Sequence, residues 1–452
     1  MAKTPLVDPK SSPPGPEFLS TVVYRGSTRA DPATIAAVRS GPVIALVDGE
    51  HHPSAVRDAL ARLDSERGVA AVVFCGGEEK VRREVLEDPV PHYGFDLIRD
   101  DEGSAAALER LASAGTAGVV VDLADEPVLP AAAKLELAAL ALHLGLAYEL
   151  PGTVLVPPTY ERVDFAGRKL AVIGTGKRTG KTAVAGHWAT LLRERGLHPV
   201  IVSMGRGGPP EPQLAQAGTS LDELRALATG GMHAASDYLE DAAIAGVPTV
   251  GCRRVGGGLL GEPFESNVPA GAALAASLDP DAILFEGSGA CIPPVEVDRT
   301  LCIVGAAPQG LATYHLRRSQ LALVMGGDRE LAAAIADRYC PALACELVPE
   351  PVEAPPPGAR VAVFSTSAAA CDGLEPVVAS SALARRGRLE ADLDLAVAER
   401  CDVYLVEIKA AAIDTVAARA EREGATVLFL RNRPIALDVD LDAELLSLHD
   451  DA

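Results

Sequence analysis

No run of eighteen apolar residues occurs in this 452-residue chain, and no charged-then-apolar leader opens it. No membrane-spanning helix is therefore expected, and the expected compartment is the cytoplasm. Lysine is scarce as well, supplying eight of the 41 basic residues. Against 62 acidic residues these leave a formal charge of −21. Such a balance argues against a nucleic-acid surface and against an anionic membrane. The eight cysteines form no C-x-x-C pair, and no paired histidine completes a ligand set around Cys340 and Cys345. Neither a zinc site nor a disulfide framework is indicated. The acidic field would also repel a phosphate-rich ligand, so any site for one must gather arginine, lysine and backbone N–H groups locally.

What is present is a soluble globular composition, 48% apolar and 23% charged, long enough for two or three cores. Its most informative stretch is Lys169-Leu-Ala-Val-Ile-Gly174-Thr-Gly-Lys-Arg-Thr-Gly180-Lys-Thr182. An apolar strand, a glycine-rich loop and Gly-Lys-Thr opening a helix through Arg195 are the context of a phosphate-binding P-loop. Glycines let backbone N–H groups turn inward on an anion, and the helix N-terminus adds partial positive charge. Lys181 is placed to reach the β- and γ-phosphates of a nucleotide, and the Thr182 hydroxyl to contact Mg²⁺. Thr175 stands where the usual first glycine would be, so the loop from Gly174 to Gly180 is one residue longer. That longer form resembles the dethiobiotin-synthetase branch of P-loop enzymes.

Strands and helices alternate around this stretch. Strands are expected at Val43 to Val47, Val69 to Cys75 and Gly118 to Asp122. Helices are expected at Pro53 to Glu66, Glu78 to Leu86, Ala105 to Ala114 and Ala131 to Leu144. Residues 1–16 read as a flexible segment, 17–160 as an N-terminal α/β substrate-binding domain, and 161–347 as the P-loop domain. A proline-rich spacer, Val348 to Pro357, then precedes a C-terminal α/β domain at 358–452. There, strands at Arg360 to Phe364, Val403 to Val406 and Thr426 to Leu430 alternate with helices at Glu390 to Arg400 and Ala411 to Glu423. The fold class is α/β, a three-layer αβα P-loop domain with a parallel sheet between two further α/β domains.

Ligands bind beyond the carboxyl ends of such strands, and several of those ends are chemically dense. Asp48-Gly-Glu50-His51-His52 follows one strand and reads either as a polar turn or as a ligand site. Arg206 follows the strand Val200 to Met204, where it can face phosphates. Ser236, Asp237, Tyr238, Glu240 and Asp241 fit Mg²⁺ or substrate contacts, or a helix start capped by Ser236. Glu286 ends the strand Ala282 to Glu286 and reads as the acid that orients Mg²⁺ and its waters. Glu407-Ile-Lys409 and Arg431-Asn432-Arg433-Pro434 are expected at strand ends in the last domain. A surface salt bridge between Lys409 and Glu407 is the plainer reading there.

Several stretches, in order, resemble the cyclic 2,3-diphosphoglycerate synthetase family along most of the chain. They are Ala45-Leu-Val-Asp-Gly-Glu-His51, the Gly174 to Thr182 loop, Ala235-Ser-Asp-Tyr-Leu-Glu-Asp241, Phe285-Glu-Gly-Ser-Gly289, Glu407-Ile-Lys-Ala-Ala411 and Asn432-Arg-Pro434. The resemblance implies ATP-driven closure of 2,3-diphosphoglycerate to its cyclic anhydride, with ATP and Mg²⁺ required. It implies that Gly174, Thr175, Gly176, Arg178, Thr179, Gly180, Lys181 and Thr182 bind ATP, and that Lys177, Lys181, Arg206 and Glu286 act in catalysis. Thr182, Glu286 and Asp237 would hold the metal. Asp48, Glu50, His51, Asp237, Tyr238, Lys409, Asn432 and Arg433 would hold the substrate. A small-molecule substrate is the expected partner, without nucleic acid or membrane, and a homodimer is left open. The residues themselves also admit a kinase or ligase of the same branch acting on another small metabolite. A nucleotide-driven switch is the third reading. Against it, Gly176 stands where switch proteins of this branch often carry a lysine. No Asn-Lys-x-Asp motif for guanine occurs either.

Overall fold

The computed structural model describes residues 22–24, 40–230, 234, 236–366, 373–410 and 412–451. The proposed flexible segment 1–16, the start of the expected N-terminal domain, Ala235 and Ala411 lie outside them. The described residues fall into two compact units, one from 22–24, 40–129 and 145–156, the other from 130–144 and 157 onward.

The first unit is built on strands β1 (Val22–Tyr24), β2 (Val43–Val47), β3 (Val69–Phe74), β4 (Val119–Asp122), β5 (Ala147–Leu150) and β6 (Thr153–Leu155). Their spatial order is β1-β6-β5-β4-β2-β3. The neighbours from β3 through β5 run parallel, whereas β5 and β6 form an antiparallel pair. All five residues of β2 are buried, as expected for a central parallel strand covered on both faces. The helix expected at Glu78 to Leu86 is instead a 3₁₀ turn, Glu78–Lys80, followed by a short helix, Arg83–Glu87. Val81 and Arg82 between them are extended. With only Val81, Val85 and Leu86 apolar, that stretch has too little stripe to hold one continuous helix against the sheet.

The second unit carries β7 (Arg168–Gly174), β8 (Pro199–Gly205), β9 (Gln213–Ala215), β10 (Thr249–Val255), β11 (Glu265–Ser266), β12 (Ala282–Glu286) and β13 (Arg299–Val304). It continues with β14 (Leu321–Met325), β15 (Ala342–Pro351), β16 (Val361–Phe364), β17 (Val378–Ser380), β18 (Val403–Val406) and β19 (Thr426–Ala436). One sheet contains them all, in the order β11-β10-β8-β12-β7-β13-β14-β15-β19-β18-β16-β17, with β9 beside β10. The chain leaves β7 toward β8 on one side and later returns to build β13, β14 and β15 on the other. The carboxyl end of β7 is therefore the crevice where the strand order reverses.

Side-chain parity along β8 shows the layers. Ile201 packs in one core with Val184, Trp188 and Leu192 of the helix Lys181–Glu194. Val202 and Val250 face the opposite way, against Gly271 in the helix Val268–Ala276. Helices thus cover both faces, giving the three-layer arrangement. A second core joins the helices Leu221–Thr229 and Asp237–Ile244 to Phe364, Tyr404, Val406 and Leu393 of the C-terminal segment. This packing carries the acidic residues 237–241 toward the loop after β18.

Two expectations give way here. The spacer Val348 to Pro357 begins as strand, because β15 runs to Pro351, and β19 runs through Arg431, Asn432, Arg433 and Pro434 rather than ending at Leu430. The two strands pair antiparallel over Cys345↔Ala436 to Pro351↔Leu430. Pro434, Pro349 and Pro351 all fall on one parity of this ladder, in the pairs with Leu347, Asn432 and Leu430. The alternate parity carries the hydrogen-bonded pairs, as Val352 N–H to Phe429 and Leu437 N–H to Ala344 show at its two ends. A proline on the non-bonded parity removes no ladder bond. The helix expected at Ala411 to Glu423 opens as a π-turn, Ala412–Ala417, before continuing as Ala418–Glu423. Helix Leu441–Asp450, for which the sequence offered no expectation, follows β19 and is capped by Asp440.

Candidate active site

Gly174 closes β7, and the loop beyond it folds over the start of the helix Lys181–Glu194. Within the loop Gly180 and Arg178 both take the left-handed backbone conformation, Arg178 with φ 61°. For a non-glycine residue that conformation costs on the order of 1 kcal/mol or more. Lys177 and Arg178 are exposed, and Thr179 and Lys181 are buried. The Lys181 ammonium donates to the Gly176 carbonyl at 2.7 Å and to Thr179 Oγ1 at 3.3 Å. Burial pulls its pKa below the ordinary lysine value, and the nearby Glu286 carboxylate works in the opposite direction.

Glu286 ends β12, the immediate neighbour of β7, and is almost fully buried. Its Oε1 accepts the Thr182 hydroxyl at 2.5 Å, and its Oε2 accepts the Ser203 hydroxyl of β8 at 2.7 Å. Burial first, and Asp237 second, push its pKa up to about 7, against the two hydroxyls and Lys181. The P-loop lysine, the P-loop threonine and the strand-end acid thus come together as the sequence suggests. Ser203 joins them, and its sole sequence signal is a hydroxyl inside an apolar strand that lies opposite Glu286 in register.

The helix Asp237–Ile244 supplies the next layer. Ser236 sits at its N-cap position without a side-chain cap bond. Asp237 is exposed, within electrostatic reach of Lys181 and Glu286. Glu240 and Asp241 are buried, and Glu240 Oε2 and Asp241 Oδ2 have no hydrogen-bond partner among the described residues. Desolvation raises both carboxyls, Glu240 to about 8 and Asp241 well above its usual range. Tyr238 turns elsewhere. Its ring lies on Gly251 of β10, where an added Cβ would come within 2.7 Å, and its hydroxyl faces Gln213 at 3.4 Å.

Lys409 arrives from the loop after β18, 3.4 Å from Glu240 and 3.7 Å from Glu407. These carboxylates, Glu240 foremost, raise its pKa above the ordinary value. The pair with Glu407 is therefore part of a buried cluster rather than a surface bridge. Ala410 beside it holds φ 48°. Glu407 in turn accepts Asn432 Nδ2 at 2.5 Å and the backbone N–H and hydroxyl of Thr366, both at 2.8 Å. Asn432 thereby orients Glu407 from inside β19. Arg433 faces Asp442 at 3.8 Å, and the same aspartate holds His187 of the P-loop helix at 2.6 Å.

A pH dependence of stability follows from Glu240. Its carboxyl keeps a proton in the fold that the unfolded chain releases above its ordinary value of 4.5. The folded state is favoured most below that pH and loses stability as pH climbs toward about 8. Scanning calorimetry at pH 5 to 9 is expected to show Tm falling with pH. Glu240→Gln should flatten the slope and melt higher than the parent at pH 8.5, and a parallel slope in both would refute this.

In the first unit, Asp48 ends up fully buried. Its Oδ1 accepts the N–H groups of Glu50 and His51 and faces His51 Nδ1 at 2.8 Å, and its Oδ2 accepts the N–H of Asp125 at 2.5 Å. Glu50 pairs with Lys80. Gly49 packs on the Gly76-Gly77 turn so closely that an added Cβ would stand 2.0 Å from the Gly77 carbonyl oxygen. The dense acid–histidine stretch is thus an anchored turn. Asp48, with both oxygens engaged, organises the backbone of this turn, the plainer of the two readings of the stretch.

Arg206 stands exposed after β8, as expected, and beside it lies a residue not singled out in the sequence. Arg254, next to last in β10, is only 6% exposed. Its guanidinium donates to the carbonyls of Gly256 and of Ser288, the latter at 2.8 Å, in the loop after Glu286. Burial and the neighbouring Arg206 charge lower its pKa, against Cys291.

Comparison with known proteins finds relatives along most of the chain. Residues 42–153, 169–323 and 359–433 match the N-terminal, P-loop and C-terminal domains described for cyclic 2,3-diphosphoglycerate synthetase. A protein of Rubrobacter xylanophilus with that name is 41% identical over 438 residues, covering 89% of this chain and 96% of its own. One from Thermococcus gammatolerans is 36% identical, covering 87% and 94%. One from Methanothermobacter thermautotrophicus is 34% identical, covering 90% and 95%.

Proposed function

Since the chain belongs to the cyclic 2,3-diphosphoglycerate synthetase family, we propose that it closes 2,3-diphosphoglycerate to the cyclic anhydride, converting ATP to ADP and phosphate. The observation that carries the reading is the Lys181–Thr182–Glu286–Ser203 constellation at the carboxyl end of the central strands.

Joining two phosphate monoesters is uphill in water and brings like charges together. In the first step an oxygen of one substrate phosphate attacks the γ-phosphorus, and the bond to ADP breaks. In the second, an oxygen of the neighbouring phosphate attacks the activated phosphorus, and inorganic phosphate leaves with the bonding electrons. The two phosphates sit on adjacent carbons, so ring closure has a high effective molarity. The protein's work is alignment and charge neutralisation. The loop N–H groups and Lys181 would hold the triphosphate, and Lys177 and Arg178 would meet the transferring phosphoryl group, with Arg206 acting on the phosphates of the substrate. Lys409, kept in place by Glu240 and Glu407, would face the substrate.

The donors near Thr182 suit Mg²⁺. They are hard oxygens, with the Thr182 hydroxyl on Glu286 Oε1 and Asp237 exposed within electrostatic reach of that carboxylate, and no set of three ligating side chains is preassembled among the described residues. Magnesium takes one or two carboxylates and fills its remaining positions with water and phosphate oxygens. Thr182, Glu286 and Asp237 would hold the ion, and the chemistry it supplies is neutralisation of the triphosphate. No helix among the described residues is long and apolar enough to cross a membrane.

Incubation with ATP, Mg²⁺ and 2,3-diphosphoglycerate, followed by ³¹P NMR, is the test. A coupled phosphorus pair at anhydride positions should appear with equal amounts of ADP and phosphate. Hydrolysis of ATP at the same rate with and without the diphosphoglycerate would remove this substrate.

A further inference from the structure

Arginines near a surface usually meet a carboxylate, and in a chain with 62 acidic residues partners are plentiful. Arg254 and Arg206 have no acidic partner among the described residues, yet they converge. A Cβ built on Gly289 would lie 2.7 Å from Nη2 of Arg206 and 3.4 Å from Nη2 of Arg254. The two guanidinium heads are therefore no farther apart than those two distances together. Arg254 Nε is buried and makes no hydrogen bond among the described residues. Bringing two like charges together at a partly desolvated place is unfavourable unless an anion joins them. Both lie over the loop that follows Glu286, and Arg206 is close enough to Lys181 to influence its charge.

We propose that Arg206 and Arg254 form a two-guanidinium clamp for a phosphomonoester dianion of the substrate, distinct from the nucleotide phosphates held by the P-loop. The clamp rests on the function proposed above and adds to it the group that fixes one end of the substrate. Planar guanidinium forks suit a phosphate's three oxygens. Gly289, without a side chain, lets the Arg206 guanidinium approach the loop backbone this closely. Tethering one phosphate here leaves the other free to turn toward the P-loop.

The test is calorimetric titration of the ADP-loaded protein. Arg206→Gln and Arg254→Gln are each expected to weaken 2,3-diphosphoglycerate binding by about 10- to 100-fold. Affinity for ADP should stay at the parent value. The double variant should lose less than the product of the two, because both hold one group. Arg254 is buried, so thermal unfolding is followed for every variant. Arg206→Gln, at an exposed position, carries the test if Arg254→Gln does not fold. Equal weakening of ADP would assign the arginines to the nucleotide and overturn the clamp, as would parent-like diphosphoglycerate binding in both variants. Inorganic phosphate separates this idea from the proposed reaction. If the parent protein fails to bind diphosphoglycerate, the substrate assignment falls. Phosphate affinity that disappears with either arginine would still establish the clamp, and phosphate binding indifferent to both would end it.

Discussion

Lys181→Ala is expected to lower kcat/KM by about 10³-fold, the scale seen when one preorganised charge-stabilising donor is removed from an active site. The lysine is buried under its own loop with its ammonium already turned on the Gly176 carbonyl, so its charge sits where triphosphate oxygens would replace that carbonyl. Lys181→Arg should fail almost as badly, although it keeps the charge. Gly174 packs against the lysine stem so tightly that an added Cβ would come within 3.1 Å of Lys181 Cδ, and a branched guanidinium has no room to follow the same path. Steady-state kinetics with Tm measured alongside decides the matter. A variant that folds normally and retains more than a tenth of the parent kcat/KM would show that the loop holds no reacting phosphate.

Glu286→Gln should separate activity from stability. Activity is expected to fall by about 10² to 10³-fold, because the charge opposite Thr182 is lost. Stability should move the other way. The Glu286 carboxyl, pushed up to about 7 by burial and by Asp237, is ionised in both the folded and unfolded chains at pH 8, and burying that charge costs on the order of a few kcal/mol. Glutamine removes the cost, so the variant should melt several degrees above the parent at pH 8. At pH 5 the carboxyl is protonated in the fold, and the gain should shrink. A variant that is less stable at pH 8, or fully active, would contradict the placement of this acid. The residue is then an instance of a site held at the expense of stability.

The nucleotide side of this site was legible because its signals are local. Strand, glycines and Gly-Lys-Thr lie within fourteen residues, and Glu286 announces itself as an acid closing an apolar run. What stayed hidden depends on partners far away in the chain. Arg431 to Pro434 looked like a strand end because Pro434 reads as a stop. Its tolerance comes from a ladder with β15, more than eighty residues earlier, in which proline falls on the non-bonded parity. Asp48 reads as either turn or ligand because nothing in the sequence reveals that the Asp125 N–H occupies its second oxygen. Arg254 looked like any strand arginine before a glycine run, and only its burial without a counter-charge marks it. Lys409 was noticed, but its strongest partner, Glu240, lies on a helix 169 positions earlier.

The β15–β19 ladder also bears on how the chain is made. During synthesis β15 is complete some 75 residues before β19 begins. Over that interval its residues 346–351 have no neighbour on the β19 side, an edge that invites pairing with other chains. Glu346 and Glu350 stand on the bonded parity of that edge, and their charges are what discourages such encounters before β19 arrives.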